Sequence, residues 1–232
     1  MHKIDVNFDM RTDSQGLDPD ASSPTLKAYH KILWSKDLPN GDDFTLTDQK
    51  GYLLAKTSLG YIDLGSDAIT HSYGEWKRNH MKELIEQVGV DEIERFRRIG
   101  ATIGGYTLFP KNKIAGTMTI NGARGCNRYI NDRFDLTLEC IRRHYEGKDS
   151  PLENALSAYA NFFLLFVDFR GYVDFFMLND LVCPNYQTIN FFLPFDGFTK
   201  NPLPKNIIEY NVYKDASINF IINRSSQMVL ST

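Results

Sequence analysis

The sequence predicts one α/β domain, helix-rich and built around a small mixed or parallel sheet. Three observations carry that expectation. The 232 residues suffice for one complete core and are short for two. No composition break or Pro/Gly/Ser-rich tract marks a linker, so the domain is expected to span residues 1–232. Short apolar stretches of strand length alternate along the chain with capped stretches of helical period.

The elements follow in order. Residues 3–8 alternate polar and apolar, the period of a half-buried strand. Ser23-Pro24 reads as N-cap and first helical residue of a helix reaching Trp34, with Leu26, Tyr29 and Leu33 on one face. Leu38-Pro39-Asn40-Gly41 ends it in a turn. Residues 44–64, interrupted by Gly51 and Gly60, are expected to form two short strands. Helices follow over 75–88 and 90–99, the second entered through Gly89. Residues 102–109 are β-prone and stopped by Pro110, with Gly104-Gly105 marking a bulge or a close backbone approach. An irregular Gly-containing stretch covers 117–125. Over 132–146 the apolar residues Phe134, Leu138, Ile141 and Tyr145 share one helical face, and Gly147 terminates it. Helices over 152–167 and 171–181 are apolar nearly all round and are expected to be central; Arg170 and Asp174, inside the Phe/Tyr stripe from Tyr159 to Phe176, must be paired or line a pocket. A strand over 187–193, a Pro-rich loop over 196–204 and a helix over 207–223 complete the chain.

Composition narrows the function classes. The 42% hydrophobic and 24% charged content is that of a soluble globular protein, and the 13% aromatic content is rich. Net charge is −3, yet unevenly placed: residues 1–67 hold seven Lys/Arg against eleven acids, residues 111–148 eight against four. An acidic first third and a basic middle would suit two sides of one cleft acting on a polyanion. Cys126, Cys140 and Cys183 lack C-x-x-C spacing and are expected to be reduced thiols of a cytoplasmic protein. The N-terminal residues are too polar for a signal peptide, and the longest apolar run has six residues, far below a membrane span.

The densest chemistry lies in Asp9-Met-Arg11-Thr-Asp13-Ser-Gln-Gly16-Leu17-Asp18-Pro19-Asp20, just before the first helix. Four carboxylates within twelve residues repel one another, so some must be paired, metal-bound or raised in pKa. A helix N-terminus close by favours negative charge and can keep one Asp ionised as a base. Asp18 is the candidate for water activation, with Asp13 and Asp20 shaping its field and Arg11 contacting substrate. If the four instead held Mg²⁺, the chain would be a metal-dependent phosphodiesterase or nuclease; if the loop is only a turn, a non-enzymatic nucleic-acid-binding or regulatory protein.

Gly16-Leu17-Asp18-Pro19-Asp20 resembles the water-activating G-Q-D-P-Y loop of uracil-DNA glycosylases, with Leu17 in place of Gln and Asp20 in place of Tyr. Asp149-Ser150-Pro151-Leu152 is similar to part of that family's H-P-S-P-L-S loop, but lacks a His directly before Ser150. The resemblance covers about ten residues and implies N-glycosidic bond hydrolysis without a cofactor, with DNA as substrate and Ser150 near it. Residues 130–145 also resemble an uncharacterised bacterial protein family, from which no activity transfers.

A second constellation is Asn121-Gly-Ala-Arg124-Gly-Cys-Asn127-Arg128. Arg flanked by Gly offers an open guanidinium suited to phosphate, so Asn121, Arg124, Asn127 and Arg128 are the expected substrate-binding residues, while Arg142 is expected on a solvated face. No G-x-S-x-G elbow, zinc spacing, P-loop or G-x-G-x-x-G occurs. The sequence thus points to a nucleic-acid-directed hydrolase of the DNA N-glycosylase type, excising a base, modified bases included, with an Asp-activated water. Neither a metal nor another cofactor is expected.

Overall fold

Alternation of polar and apolar residues between positions 43 and 68 decides the architecture. In the computed structural model, which describes residues 4–73 and 79–230, this stretch folds as three consecutive strands. They are β2 (Asp43–Gln49), β3 (Tyr52–Thr57) and β4 (Gly60–Ala68), preceded by the two-residue β1 (Lys36–Asp37). Along β2, Phe44 and Leu46 are buried while Thr45 and Thr47 are exposed, the signature of a sheet with one covered face. Gly51 (φ +81°) and Gly60 (φ +107°) sit at the hairpin turns in the left-handed region that a residue with a Cβ seldom adopts. β5 (Tyr106–Pro110) closes the order β1-β2-β3-β4-β5, pairing Leu64 with Pro110 and Ala68 with Tyr106.

Every pairing is antiparallel, which overturns the mixed or parallel sheet. The physical reason is loop length: strands joined by two residues can only turn back on themselves, whereas a parallel pair needs a crossover of a dozen or more. Gly51 and Gly60 mark hairpin turns between three strands, not interruptions within two.

Around the sheet lie α1 (Pro19–Ser22), α2 (Pro24–Trp34), α3 (Asn79–Glu86), α4 (Val90–Gly100) and α5 (Ile120–Cys126). The second half of the chain adds α6 (Phe134–Tyr145), α7 (Glu153–Ala158), α8 (Ala160–Leu164), α9 (Phe169–Phe175) and α10 (Ile207–Leu230). Helix α2 begins where Ser23-Pro24 predicts: Ser23 Oγ accepts from Leu26 N at 3.1 Å. Four other expectations are corrected. Residues 4–8 form a turn and not a strand, with Phe8 N donating to Asp5 O, and Lys3 lies outside the described residues. Residues 120–126 are helical, capped by Thr119. The apolar stretch 152–181 breaks into short helices: α7 and α8 part at Tyr159, and left-handed backbone at Val167 (φ +70°) and Met177 (φ +54°) ends the helical turns before and after α9. Residues 187–193 contribute one isolated bridge, Ile189 to Val182. Of the helix expected over 75–88, residues 75–78 lie outside the described residues.

The core centres on Trp34, Phe166, Tyr172, Phe175 and Phe176, whose rings meet tilted or edge-on at centroid separations of 5.0–6.1 Å. Two polar groups are built into it. His30 is fully buried; Trp34 Nε1 donates to its Nδ1 at 3.0 Å, so its Nε2 carries the hydrogen and donates to Ser66 Oγ at 3.0 Å. Burial, with the Arg224 charge second, pushes the imidazole down to about 3, so it is neutral. Arg224 of α10 is buried and donates to the carbonyls of Phe176, Gly104 and Tyr106, tying α10 to the start of β5. Desolvation draws its pKa down to about 9.

Gly104 is the close approach expected from the Gly pair. A Cβ there would stand 2.2 Å from Ser225 Oγ and 2.5 Å from Ile221 O on α10. Because the second obstacle is backbone, Gly104→Ala must displace the helix and is expected to cost ~2 kcal/mol or more. A lowered urea midpoint with unchanged slope checks it, and an unchanged midpoint contradicts the contact.

Candidate active site

The acidic loop is placed by its own side chains. Asp9 receives Arg11 Nε at 2.9 Å and Arg11 N at 3.0 Å, and Arg11 Nη2 also reaches Glu94 Oε1 at 2.8 Å. Partial burial pushes Asp9 up, but the Arg11 hydrogen bonds outweigh it and hold the carboxyl below its usual range. Asp13 accepts from Ser23 Oγ at 2.6 Å and Thr25 N at 3.0 Å, locking the start of α2. Those bonds likewise outweigh its burial and lower its pKa. Asp9 and Asp13 are thus committed to structure, and the four loop carboxylates do not converge; among the described residues no group of three His, Cys, Asp or Glu could hold a metal ion.

Asp18 and Asp20 differ. Asp18 caps the short α1, accepting from Asp20 N at 3.2 Å, and is exposed. Asp20 turns inward: its Oδ1 is buried and has no hydrogen-bond partner. Burial, then the like charges of Asp67 and Asp18, push its pKa well above the carboxylate range; the Ser66 hydroxyl and Arg124 oppose more weakly. The Ser66 oxygen already accepts from His30, so its hydroxyl hydrogen is free to turn toward Asp20.

Asp67 comes from β4, a strand interior that disfavours Asp. It is buried against Arg124, whose Nη1 donates to Asp67 Oδ2 and, at 3.0 Å, to Ala68 O. Arg124 Nη2 reaches Asp132 O at 2.8 Å and Nε reaches Thr137 Oγ1 at 3.3 Å, so its donors are spent internally and its side chain has no exposure. Burial raises Asp67 to about 6 despite Arg124, and Asp132 adds to the rise. Burial thus raises both carboxyls, and the Asp67 charge adds to the rise at Asp20.

Two cavities share Asp18 and Asp20 as a common wall. One, about 620 Å³, is lined by Tyr73, Phe96, Tyr106, His71, Arg11 and Arg97. Burial keeps Tyr73 and Tyr106 neutral phenols, their pKa values pushed upward. The other, about 440 Å³, is lined by Ser66, Asp67, Lys111, Lys113 and Asn121 besides the shared pair. The first third of the chain thus meets the basic middle at this second cavity.

The remaining expected residues lie elsewhere. Arg128 is exposed and stacks on Tyr129 at 4.6 Å. Asn127 Nδ2 donates to Pro151 O at 3.1 Å, and Asn127 lines a separate cavity of about 500 Å³. Ser150 lines neither cavity at Asp18; its Oγ is buried near the Cys140 thiol. Arg142 is held by Glu139 and Glu146 and is largely covered, so it is not a solvated face residue. Arg170 and Asp174 pair with each other at the surface. Asp67, Ser66 and His71 were not singled out as site residues, and Lys111 and Lys113 entered only as part of the basic segment 111–148.

The sequence matches one family profile across residues 4–228. The chain belongs to a family of unknown function, DUF6994. No match was found among curated proteins or solved structures. Nothing in these comparisons links this DUF6994 chain to uracil-DNA glycosylases, so its site chemistry is argued from its own residues. Among its described residues, no helix is long and apolar enough to cross a membrane.

Two stability predictions follow from this arrangement. Arg124→Met leaves Asp67 buried without its partner and is expected to cost ~3–5 kcal/mol by denaturant unfolding; adding Asp67→Leu should restore most of it. Recovery failing in the double variant would contradict the pairing. Asp20 has a folded pKa above its ordinary 3.8, so its favourable contribution is complete below that value and is lost as pH rises through the folded pKa. Asp20→Asn fixes the neutral form. It should match wild type near pH 3.5 and exceed it in stability at pH 8, whereas equal stability at both pH values contradicts a raised pKa.

Proposed function

We propose that this chain hydrolyses an N-glycosidic bond in a nucleic-acid unit by general acid–base chemistry, releasing the base. The observation carrying this reading is Asp20, a carboxyl with a raised pKa that lines both an aromatic-containing cavity and a lysine-containing one, with Asp67 on the second. Tyr73, Phe96 and Tyr106 bring aromatic rings to the first cavity, where a base would stack, and Lys111 and Lys113 line the second, where a sugar phosphate would lie.

The roles follow from environment. Asp20, buried and protonated, donates its proton to the departing base nitrogen as the C1′–N bond breaks. Asp67 is the neighbouring charge that keeps that proton in place. Asp18, exposed at the junction, takes a proton from the water that adds to C1′, and carboxylate charge close to the sugar stabilises its oxocarbenium-like transition state. Base and a sugar hydroxyl are the products, and the two carboxyls exchange protonation states before solvent resets them. DNA is the proposed substrate class, as part of a base-excision activity.

Oligonucleotides incubated with the protein should release free base by mass spectrometry and acquire alkali-labile sites, and EDTA should leave this unchanged. Asp20→Asn should lower kcat by ~10²–10⁴ with the fold retained. Because the acid works only when protonated, kcat should fall as pH rises through the elevated Asp20 pKa. Full turnover in Asp20→Asn, or cleavage of the phosphodiester backbone abolished by EDTA, overturns the reading.

A further inference from the structure

The second cavity has an electrostatic asymmetry that the acid–base chemistry does not use. Its inner carboxyls are compensated: Asp67 is paired with Arg124, and Asp20 is pushed toward its neutral form. Asp18 is the remaining acid on its wall, against two lysines lining the same cavity. Lys111 Nζ donates to a carbonyl, Gly51 O, at 2.9 Å, and neither lysine pairs with a carboxylate among the described residues.

Lys111 is also seated. Its aliphatic stem lies over Gly65 of β4, where a Cβ would come within 3.4 Å of Lys111 Cδ. Glycine at that position lets the stem lie flat along the strand with its ammonium at the cavity edge. Asn121 adds an amide donor to the same cavity. Two cations and an amide lining one cavity whose inner carboxyls are compensated form an arrangement that takes an anion rather than a neutral group.

We infer that Lys111, Lys113 and Asn121 form an anion subsite that binds the phosphate of a sugar-phosphate unit, placing its C1′ toward Asp18 and Asp20. This deepens the N-glycosidic reading and rests on it for the identity of the sugar. The phosphate can belong to a free nucleotide or to a strand, and the two sources present the same chemistry to the lysines.

The test uses probes that cannot be turned over: 2-deoxyribose 5-phosphate, 2-deoxyribose, and a short single strand carrying a tetrahydrofuran abasic analogue. Calorimetry at low salt should show the phosphate sugar binding at least about tenfold more tightly than the plain sugar, the increment of a charged hydrogen bond. The Lys111→Ala, Lys113→Ala double variant should lose that preference, and the corresponding Lys→Arg pair should keep it. A strand bound more tightly than the monophosphate, with the same lysine dependence, supports the subsite and assigns it to polymer. Equal affinity for both sugars, or a preference surviving in the double Ala variant, overturns it. These results are separable from catalysis. If Asp20→Asn stops base release while the lysines prove irrelevant to phosphate, the subsite falls alone. If no base is released from any substrate but phosphate binding depends on the lysines, the subsite stands.

Discussion

The buried ion pair between Arg124 and Asp67 is the constraint on which the site depends. Its guanidinium ties together elements distant in sequence: β4 through Asp67 and Ala68, the turn before α6 through Asp132, and α6 through Thr137. A charge with no exposure must be satisfied by fixed partners, so each bond fixes a distance that packing alone would leave adjustable. The backbone follows suit: Asn131 and Asp132 take left-handed φ values of +46° and +59°, held by Arg124 and by Tyr73 Oη donating to Asn131 O. Gly125 leaves room for the Asp132 carboxylate, whose oxygens would lie 3.2–3.3 Å from any Cβ there.

From that anchor the protonation pattern of the site unfolds. Asp67 can be buried because Arg124 faces it, and Asp20, turned in beside Asp67, raises its own pKa in consequence. Behind them, Trp34 donates to His30 and His30 to Ser66, a chain of polar groups running from the aromatic core to the Asp20 carboxyl. The neutral His30 fixes which way the Ser66 hydroxyl can donate. A loop dense in carboxylates is thereby sorted: Asp9 and Asp13 hold structure, Asp18 meets solvent, and Asp20 turns inward with its pKa raised, by burial first.

Much of the local structure was legible because it obeys local chemistry. Ser23-Pro24 starts α2, Gly147 (φ +65°) ends α6, and the buried face of α6 carries the residues its period picks out. The sheet was not legible in the same way. Short strands separated by Gly51 and Gly60 were visible as fragments, but the partner and direction of each pairing are non-local facts. The candidate site was half legible. The Asp18-Pro19-Asp20 turn stood out by composition, whereas Asp67 lay beyond the expected strands and Arg124, flanked by glycines, looked open to solvent.

By itself the sequence determined the start of α2, the end of α6, the acidic turn and the opposed charge of its two segments. These depend on residues close in the chain, whose capping, turn and periodicity preferences act without knowledge of the fold. Tertiary structure alone decided that the sheet is antiparallel, that Arg124 is buried on Asp67 instead of facing a ligand, and that Asp20 rather than Asp18 is the inward carboxyl. Those outcomes turn on desolvation and on partners dozens of residues away, and the free energy of a charged side chain is set by what surrounds it once the chain has closed.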